Sequence, residues 1–191
     1  MVPLTGPNKV KAAVFISGTG SNLKSLIKFS KTKKSPISIS LIVTNNLKAK
    51  GLDFANIYKI KKKIINFRNK KLAEKKILLD LKKNRIQIIC LAGFMVILSK
   101  KFIKNFEGKI INIHPSLLPK YKGLHAVEQA IHSKDNVTGC TVHYVNNELD
   151  GGEIIQQAKV PIFDTDNTEI LTKRIQREEY RILPEVIKKL P

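Results

Sequence analysis

The sequence has no tryptophan, only two cysteines and two methionines, and 15 acidic residues against 35 lysines and arginines. Each scarcity excludes something. Cys90 and Cys140 each sit inside an apolar, strand-like run, so they read as small core residues and not as a disulfide framework. The histidines (His114, His125, His132 and His143) form no close pair, and the cysteines form no Cys-x-x-Cys, so no metal site is expected. No apolar run approaches the roughly 20 residues that a membrane span requires. Residues 1–11 lack the apolar core of an export signal. The expectation is a cytoplasmic protein in a reducing setting, with no membrane partner. The absence of Gly-x-Ser-x-Gly also speaks against a serine hydrolase.

The shortage of acids leaves a net charge of +20. Such a charge attracts anions of any kind. Its distribution does not describe a nucleic-acid surface. The excess is mostly lysine, and the densest stretch, Lys59 to Arg85, lacks the interleaved aromatics on which single-stranded bases stack. A solvated lysine face that helps draw in anionic metabolites is the expected reading, with no nucleic-acid partner.

The chain of 191 residues, 42% of them hydrophobic, is enough for one well-buried domain, with residues 1–9 peripheral or disordered. Val10 to Ile16 and Ile37 to Thr44 are β-branched apolar runs that predict buried strands, and Ile86 to Ala92 predicts another. Leu23, Leu26 and Ile27 predict a helix after the first strand, and Leu52 to Ile57 a short one. A brief strand is expected near Ile60 or Ile64. Ala73, Ile77 and Leu81 form the core stripe of a helix over Lys70 to Lys83. Ser99 is placed to cap a short helix. Lys109 to His114 predicts a strand, then a Pro/Gly-punctuated loop from Pro115 to Gly123 and a helix from Leu124 to His132. Thr138 to Val145 alternates like a half-buried strand, with Cys140, Val142 and Tyr144 on one face and Thr141, His143 and Val145 on the other. Asn146 to Gly152 is turn-rich, Ile154 to Ile162 is a last strand, and Thr165 to Leu190 is a helix in which Pro184 is expected to cause a kink or break. Strands alternating with helices imply a parallel sheet, and two late strands in succession imply an antiparallel extension. The fold class is α/β: one domain with a mixed, mostly parallel sheet flanked by helices.

Three features carry chemistry. Ser17-Gly18-Thr19-Gly20-Ser21-Asn22 lies between a strand and a helix, where free backbone N–H groups and the Ser21 and Asn22 side chains can meet an anion. It lacks the lysine of a Walker loop and the third glycine of a dinucleotide fingerprint, so a single phosphate fits it better than a dinucleotide. An ordinary strand-to-helix turn has the same outline. Asn112 and His114 stand two apart on one strand and share a face, so an amide and an imidazole can together stabilise an oxyanion. Asp150 precedes two glycines, where the backbone can bend to aim its carboxylate inward. A carboxylate beside His114 would favour the cationic imidazole and could relay a proton through water. Each of these residues alone also fits a structural role. Glu179 lies on the apolar face of the last helix, where a carboxylate is paired, exposed at the helix edge, or lining a cleft.

Five ordered segments carry a resemblance. Val14 to Leu23, Leu91 to Met95, Asn112 to Tyr121, Gly123 to His125 and Glu148 to Gly152 resemble the folate-dependent phosphoribosylglycinamide formyltransferases, and the likeness runs from about Val10 to the C-terminus. The resemblance implies transfer of the formyl group of 10-formyltetrahydrofolate to the amine of glycinamide ribonucleotide through a tetrahedral intermediate, a step of purine biosynthesis. It implies catalytic roles for Asn112, His114 and Asp150. It places Gly18, Thr19, Gly20, Ser21 and Asn22 at the substrate phosphate, with Lys70 as the basic residue that assists them, and Glu179 on the amine and ribose side. The folate wall would be Met95, Val96, Ile97, Leu98, Tyr144, Val145 and Asn147. No metal is implied, and the state would be monomer or homodimer.

The family often has arginine where this chain has Val96, so a folate contact there is weaker or comes from elsewhere. Methionyl-tRNA formyltransferases and formyltetrahydrofolate deformylases resemble the same core but carry an added domain. The chain shows neither added domain, so the nucleotide amine is the expected acceptor. An RNA-binding module on this fold would leave Asn112, His114 and Asp150 without a purpose.

Overall fold

The computed structural model describes residues 9–190, so the expectation for residues 1–9 falls outside the described residues except at Lys9. β1 (Val10–Ile16) is buried from Ala12 to Ile16. A strand covered on both faces needs no polar alternation, which is why it reads as an unbroken apolar run. β2 (Ile37–Thr44) pairs parallel with one edge of β1, and β3 (Lys61–Ile64) pairs parallel with β2. β4 (Ile88–Leu91) pairs parallel with the other edge of β1. The helices of this region are α1 (Ser21–Ser30), α2 (Leu52–Ile57), α3 (Lys70–Lys83) and α4 (Lys100–Asn105). β5 (Lys109–His114), α5 (Ala126–His132), β6 (Val137–Tyr144), β7 (Ile154–Pro161) and α6 (Thr168–Lys189) complete the described elements. The strand order is β3-β2-β1-β4-β5-β6-β7, with β6 and β7 antiparallel, as the two late strands predict. By internal packing the chain divides into two compact units, the first ending at Ile111 and the second beginning at Asn112, a boundary that falls within β5.

In the first unit, Ala73, Ile77 and Leu81 form the buried stripe of α3. Glu74 joins them in the interior. Its carboxylate accepts from the Ser99 N–H at 2.7 Å and from the Ser99 hydroxyl, and that hydroxyl accepts from the Phe102 N–H to cap α4. A buried carboxylate is tolerated here because it takes two donors. β4 is shorter than the expected Ile86 to Ala92. Ile86 still belongs to the turn leaving α3: Arg85 takes a left-handed φ of 54° and the Ile86 N–H returns to the Leu81 carbonyl. The lysine-rich β3 lies at the sheet edge, where charge discourages pairing with another chain.

In the second unit, α6 packs on β6 and β7. Three expectations are corrected. β6 is buried on both faces from Thr138 to His143, not half-buried, because its polar face carries Thr141 and His143 into a hydrogen-bonded interior. α6 begins at Thr168, after Asn167 accepts from the Ile170 N–H, and runs unbroken through Pro184 to Lys189. Apolar contacts on both sides of the proline (Leu171, Ile175, Ile182, Leu183, Val186 and Ile187 are all buried) hold the helix despite the one missing backbone donor. α5 starts two residues later than expected, because His125 takes a left-handed φ of 62° at its N-cap.

Two glycine backbones in contact fix the loop after β1. Gly20 has a left-handed φ of 72°, and a Cβ on it would lie 2.7 Å from Gly51 Cα. A Cβ on Gly51 would lie 2.4 Å from Ile16 Cδ1 and 3.0 Å from Gly20 Cα. The Gly51 N–H also donates to the Gly18 carbonyl at 3.1 Å. Gly51→Ala is expected to destabilise the protein by about 1–3 kcal/mol through overpacking, read as a lower midpoint in chemical denaturation. An unchanged midpoint would show that the two backbones part at no cost.

Candidate active site

The first unit presents the glycine loop. Gly20 is the N-cap of α1 and offers no side-chain cap, so the first N–H groups of the helix lack intrahelical acceptors and α1 has no acid in its first turn. Ser21 is partly exposed and Gly18 and Thr19 are exposed, while Asn22 is buried. Lys70 is exposed on the first turn of α3.

Ser17 ties this loop to the next segment. Its hydroxyl donates to Asn45 Oδ1 at 2.5 Å and accepts from the Met95 N–H at 2.9 Å. Its backbone N–H donates to the Gly93 carbonyl at 2.9 Å, and its carbonyl accepts from Asn46 Nδ2 at 3.0 Å. The sequence alone does not single out Ser17, Asn45 or Asn46 as partners, because their meeting depends on β1, β2 and β4 lying side by side. The segment held by these bonds exposes apolar surface: Met95 and Ile97 are each 62% exposed, Val96 is half-buried, and Leu98 is buried. Two large exposed aliphatic side chains so close together suit a flat apolar ligand.

The second unit brings Asn112, His114 and Asp150 together. Asp150 has a left-handed φ of 47°, uncommon for a residue with a side chain. The bend lies in the aspartate itself. The glycines after it serve another purpose, since a Cβ on Gly152 would lie 1.7 Å from the Tyr144 carbonyl oxygen. One carboxylate oxygen, Oδ2, accepts from the Gly123 N–H at 2.8 Å and faces His114 Nδ1 at 3.4 Å. The other, Oδ1, takes Asn112 Nδ2 at 3.3 Å and faces His143 Nε2 at 3.6 Å. Asn112 Nδ2 also lies 3.2 Å from His143 Nε2.

The protonation pattern follows from the carbonyls. His114 Nε2 lies 2.8 Å from the Tyr121 carbonyl, which can only accept, so Nε2 carries a proton. His114 can then bond to Asp150 only with a second proton on Nδ1. His143 Nδ1 lies 2.8 Å from the Tyr144 carbonyl, so it too carries a proton and leaves Nε2 to accept from Asn112 in the neutral ring. Burial opposes ionisation of Asp150, but its neighbours His143, the Gly123 N–H and His114 outweigh it and hold the carboxyl below the usual aspartate range. The contacts of Asn112 and of His114 Nδ1 with Asp150, at 3.3 and 3.4 Å, are long for hydrogen bonds to a carboxylate. His143 is the member the sequence does not single out. Its only advance signal is its place on the Thr141 face of β6, ahead of Asp150.

Of the remaining residues, Tyr144 and Val145 are half-buried, and Asn147 is exposed in the loop 146–152. That loop closes on itself through Asn146, which accepts from the Glu148 N–H and donates to the Gly151 carbonyl. Glu179 is 5% exposed on α6, which rules out the edge-exposed reading. Burial pushes the Cys140 thiol up to about 12, and the negative charges of Glu179 and Glu178 push the same way. Burial also takes Cys90 to about 12, so neither cysteine is a ready nucleophile.

A polar centre of one ionised carboxylate, one amide and two tautomer-fixed imidazoles belongs to acid–base transfer chemistry, and residues 10–187 match the model of the formyl transferase family. The chain belongs to that family. Within it the chain stands with the phosphoribosylglycinamide formyltransferases. The enzyme of that name from Haemophilus influenzae is 44% identical over 181 residues, covering 93% of this chain and 85% of that one. The crystal structure of the one from Anaplasma phagocytophilum superposes with a TM-score of 0.88 at 42% identity, over 95% of this chain and 86% of that one. The human trifunctional purine biosynthetic protein adenosine-3 is 42% identical over 179 residues, 92% of this chain but 18% of that protein's length.

The folded-state carboxyl of Asp150 titrates below its unfolded value. Its ionised form therefore stabilises the fold above the unfolded pKa, and the contribution is lost as pH falls through the folded one. The stability gap between the wild type and Asp150→Asn is expected to be widest near neutral pH and to narrow below about pH 4. Denaturation midpoints across pH check this, and a gap that does not change with pH would contradict it.

Proposed function

We propose that the chain transfers the formyl group of 10-formyltetrahydrofolate to the amine of glycinamide ribonucleotide, as a single formyltransferase domain acting in the cytoplasm as monomer or homodimer. The observation that carries the reading is the gathering of Asn112 and His114 on the Asp150 carboxylate, in a chain 44% identical over 181 residues to a named phosphoribosylglycinamide formyltransferase.

The residues divide the work by chemistry. As the amine adds to the formyl carbon, negative charge grows on the formyl oxygen. The Asn112 amide and a protonated His114 Nδ1 are the donors available to that oxygen. Asp150 receives the proton that the amine sheds, directly or through water, and the proton is returned to the folate nitrogen as its bond to the formyl carbon breaks. Burial of His114 and Asp150 at 6% and 9% side-chain exposure lowers the local dielectric and strengthens both effects.

The N–H groups at Gly20, Ser21 and Asn22 hold the substrate phosphate, with Lys70 adding charge from the start of α3, and Glu179 binds on the amine and ribose side. Exposed Met95 and Ile97, with Val96 and Leu98, fit an apolar ring system such as a pterin, and Tyr144, Val145 and Asn147 supply main-chain polar groups for its edge. Val96 offers no charge to the folate, so the glutamate end of the co-substrate must find its cation elsewhere on this strongly basic chain.

The test is an absorbance assay of formyl transfer with glycinamide ribonucleotide and a 10-formyl folate. Turnover by the wild type is expected, and its absence would sink the assignment. Asp150→Asn should lower kcat by roughly a hundred-fold or more, the scale of a positioned acid–base group, and leave nucleotide affinity nearly intact. Loss of affinity in equal measure would make Asp150 structural. Ser21→Ala with Asn22→Ala should instead weaken nucleotide binding in calorimetry about ten-fold or more, the scale of lost hydrogen bonds to a charged group. Unchanged affinity would refute the phosphate role.

A further inference from the structure

We propose that Asp135, which touches none of Asn112, His114 or Asp150, is a positioning residue for His114 and acts through Tyr121. The inference uses the formyl-transfer reading for its kinetic readout only.

The connection runs through a single residue. His114 Nε2 donates to the Tyr121 carbonyl at 2.8 Å, and this bond decides which ring nitrogen turns to Asp150. The carbonyl of Tyr121 has to be held in place, because Tyr121 has a left-handed φ of 55° that its side chain disfavours. The opposite end of the same residue supplies the hold. The Tyr121 phenol donates to Asp135 Oδ2 at 2.5 Å, a hydrogen bond to an ionised acceptor. Lys120 Nζ donates to the same oxygen at 2.7 Å, and the two donors keep the Asp135 carboxyl below its usual range, Lys120 contributing more. Asp135 is itself anchored, its N–H donating to the Ser133 hydroxyl at 3.2 Å.

The neighbouring backbone is held by other means. The Ser116 hydroxyl donates to the Lys120 carbonyl at 2.6 Å, and the Thr141 hydroxyl donates to the Ser116 carbonyl at 2.6 Å. The fold of the loop therefore does not rest on Asp135. What rests on Asp135 is the orientation of residue 121. Without the phenol anchor, the strained backbone is free to turn its carbonyl away. His114 Nε2 then loses its acceptor and the ring loses its preference for one tautomer. The Lys120–Asp135 pair is exposed on the lysine side, at 61%, and contributes little by itself.

The experiment measures the imidazole nitrogen shifts of His114 by NMR, together with kcat and both KM values. The proteins are the wild type, Tyr121→Phe, Asp135→Asn, the double variant and Lys120→Ala. The wild type is expected to show a protonated Nε2. Tyr121→Phe and Asp135→Asn should each blur that signature and lower kcat about ten-fold, the scale of one hydrogen bond to a charged group, with both KM values within about two-fold of wild type. The double variant should be no worse than either single one, because both remove the same bond. Lys120→Ala should leave the signature and the rates in place.

An unchanged His114 signature in Tyr121→Phe would overturn the proposal. So would additive losses in the double variant, or the same loss in Lys120→Ala, which would mark a general weakening of the loop. Tyr121→Phe deletes only an oxygen, so it carries the test if Asp135→Asn fails to fold. If the wild type does not turn over the two substrates, the formyl-transfer reading fails, while the NMR signature still decides the role of Asp135.

Discussion

The arrangement of the second unit depends on one constraint, an ionised carboxylate at Asp150 with little access to water. A buried charge has to be met by donors, and the structure meets this one from three directions: the Gly123 N–H, the Asn112 amide and His114 Nδ1. The donors are fixed in their turn. Each histidine gives one N–H to a backbone carbonyl, at Tyr121 and at Tyr144, which leaves the other nitrogen facing the carboxylate region. The close backbone approach at Gly152 and the left-handed turn at Asp150 are what the main chain must do to bring the carboxylate there. A centre whose parts are each held from behind is preorganised.

The first unit follows the same logic without a charge. Its glycine loop is held by direct contact of two glycine backbones and by four hydrogen bonds at Ser17, ahead of an α1 N-terminus that has no side-chain cap. The same serine holds the Met95 end of an exposed apolar segment, and the buried Glu74 holds its Ser99 end. The glycine loop and the exposed apolar segment therefore share one support at Ser17.

Much of this was legible from periodicity alone. β1, β2, β5, α2 and α3 begin and end where their apolar patterns do, and the Ala73, Ile77 and Leu81 stripe is the buried face of α3. Two boundaries turn on a backbone conformation that residue types do not reveal: a left-handed Arg85 keeps Ile86 in the turn before β4, and a left-handed His125 delays the start of α5. Pro184 was expected to kink or break α6, yet core contacts on both sides keep the helix continuous. β6 was read as half-buried because its alternating residues are polar, and polarity was a poor guide where Thr141 and His143 are buried with hydrogen-bonding partners.

By itself the sequence determined the mixed α/β class, the position of the glycine loop before a helix, and the pairing of Asn112 with His114 on one face of a strand. These follow from spacing within a single element, and short-range backbone geometry is the same wherever the element is placed. Only the tertiary structure decided that His143 joins the cluster and that each imidazole has one tautomer. It also decided that Ser17 bridges the glycine loop to Met95 and that Asp135 reaches His114 through Tyr121. Each of these is a contact between residues far apart in the chain or a choice of hydrogen-bond partner. Neither is encoded by the spacing of residue types, because it exists only once the strands and loops have been brought side by side.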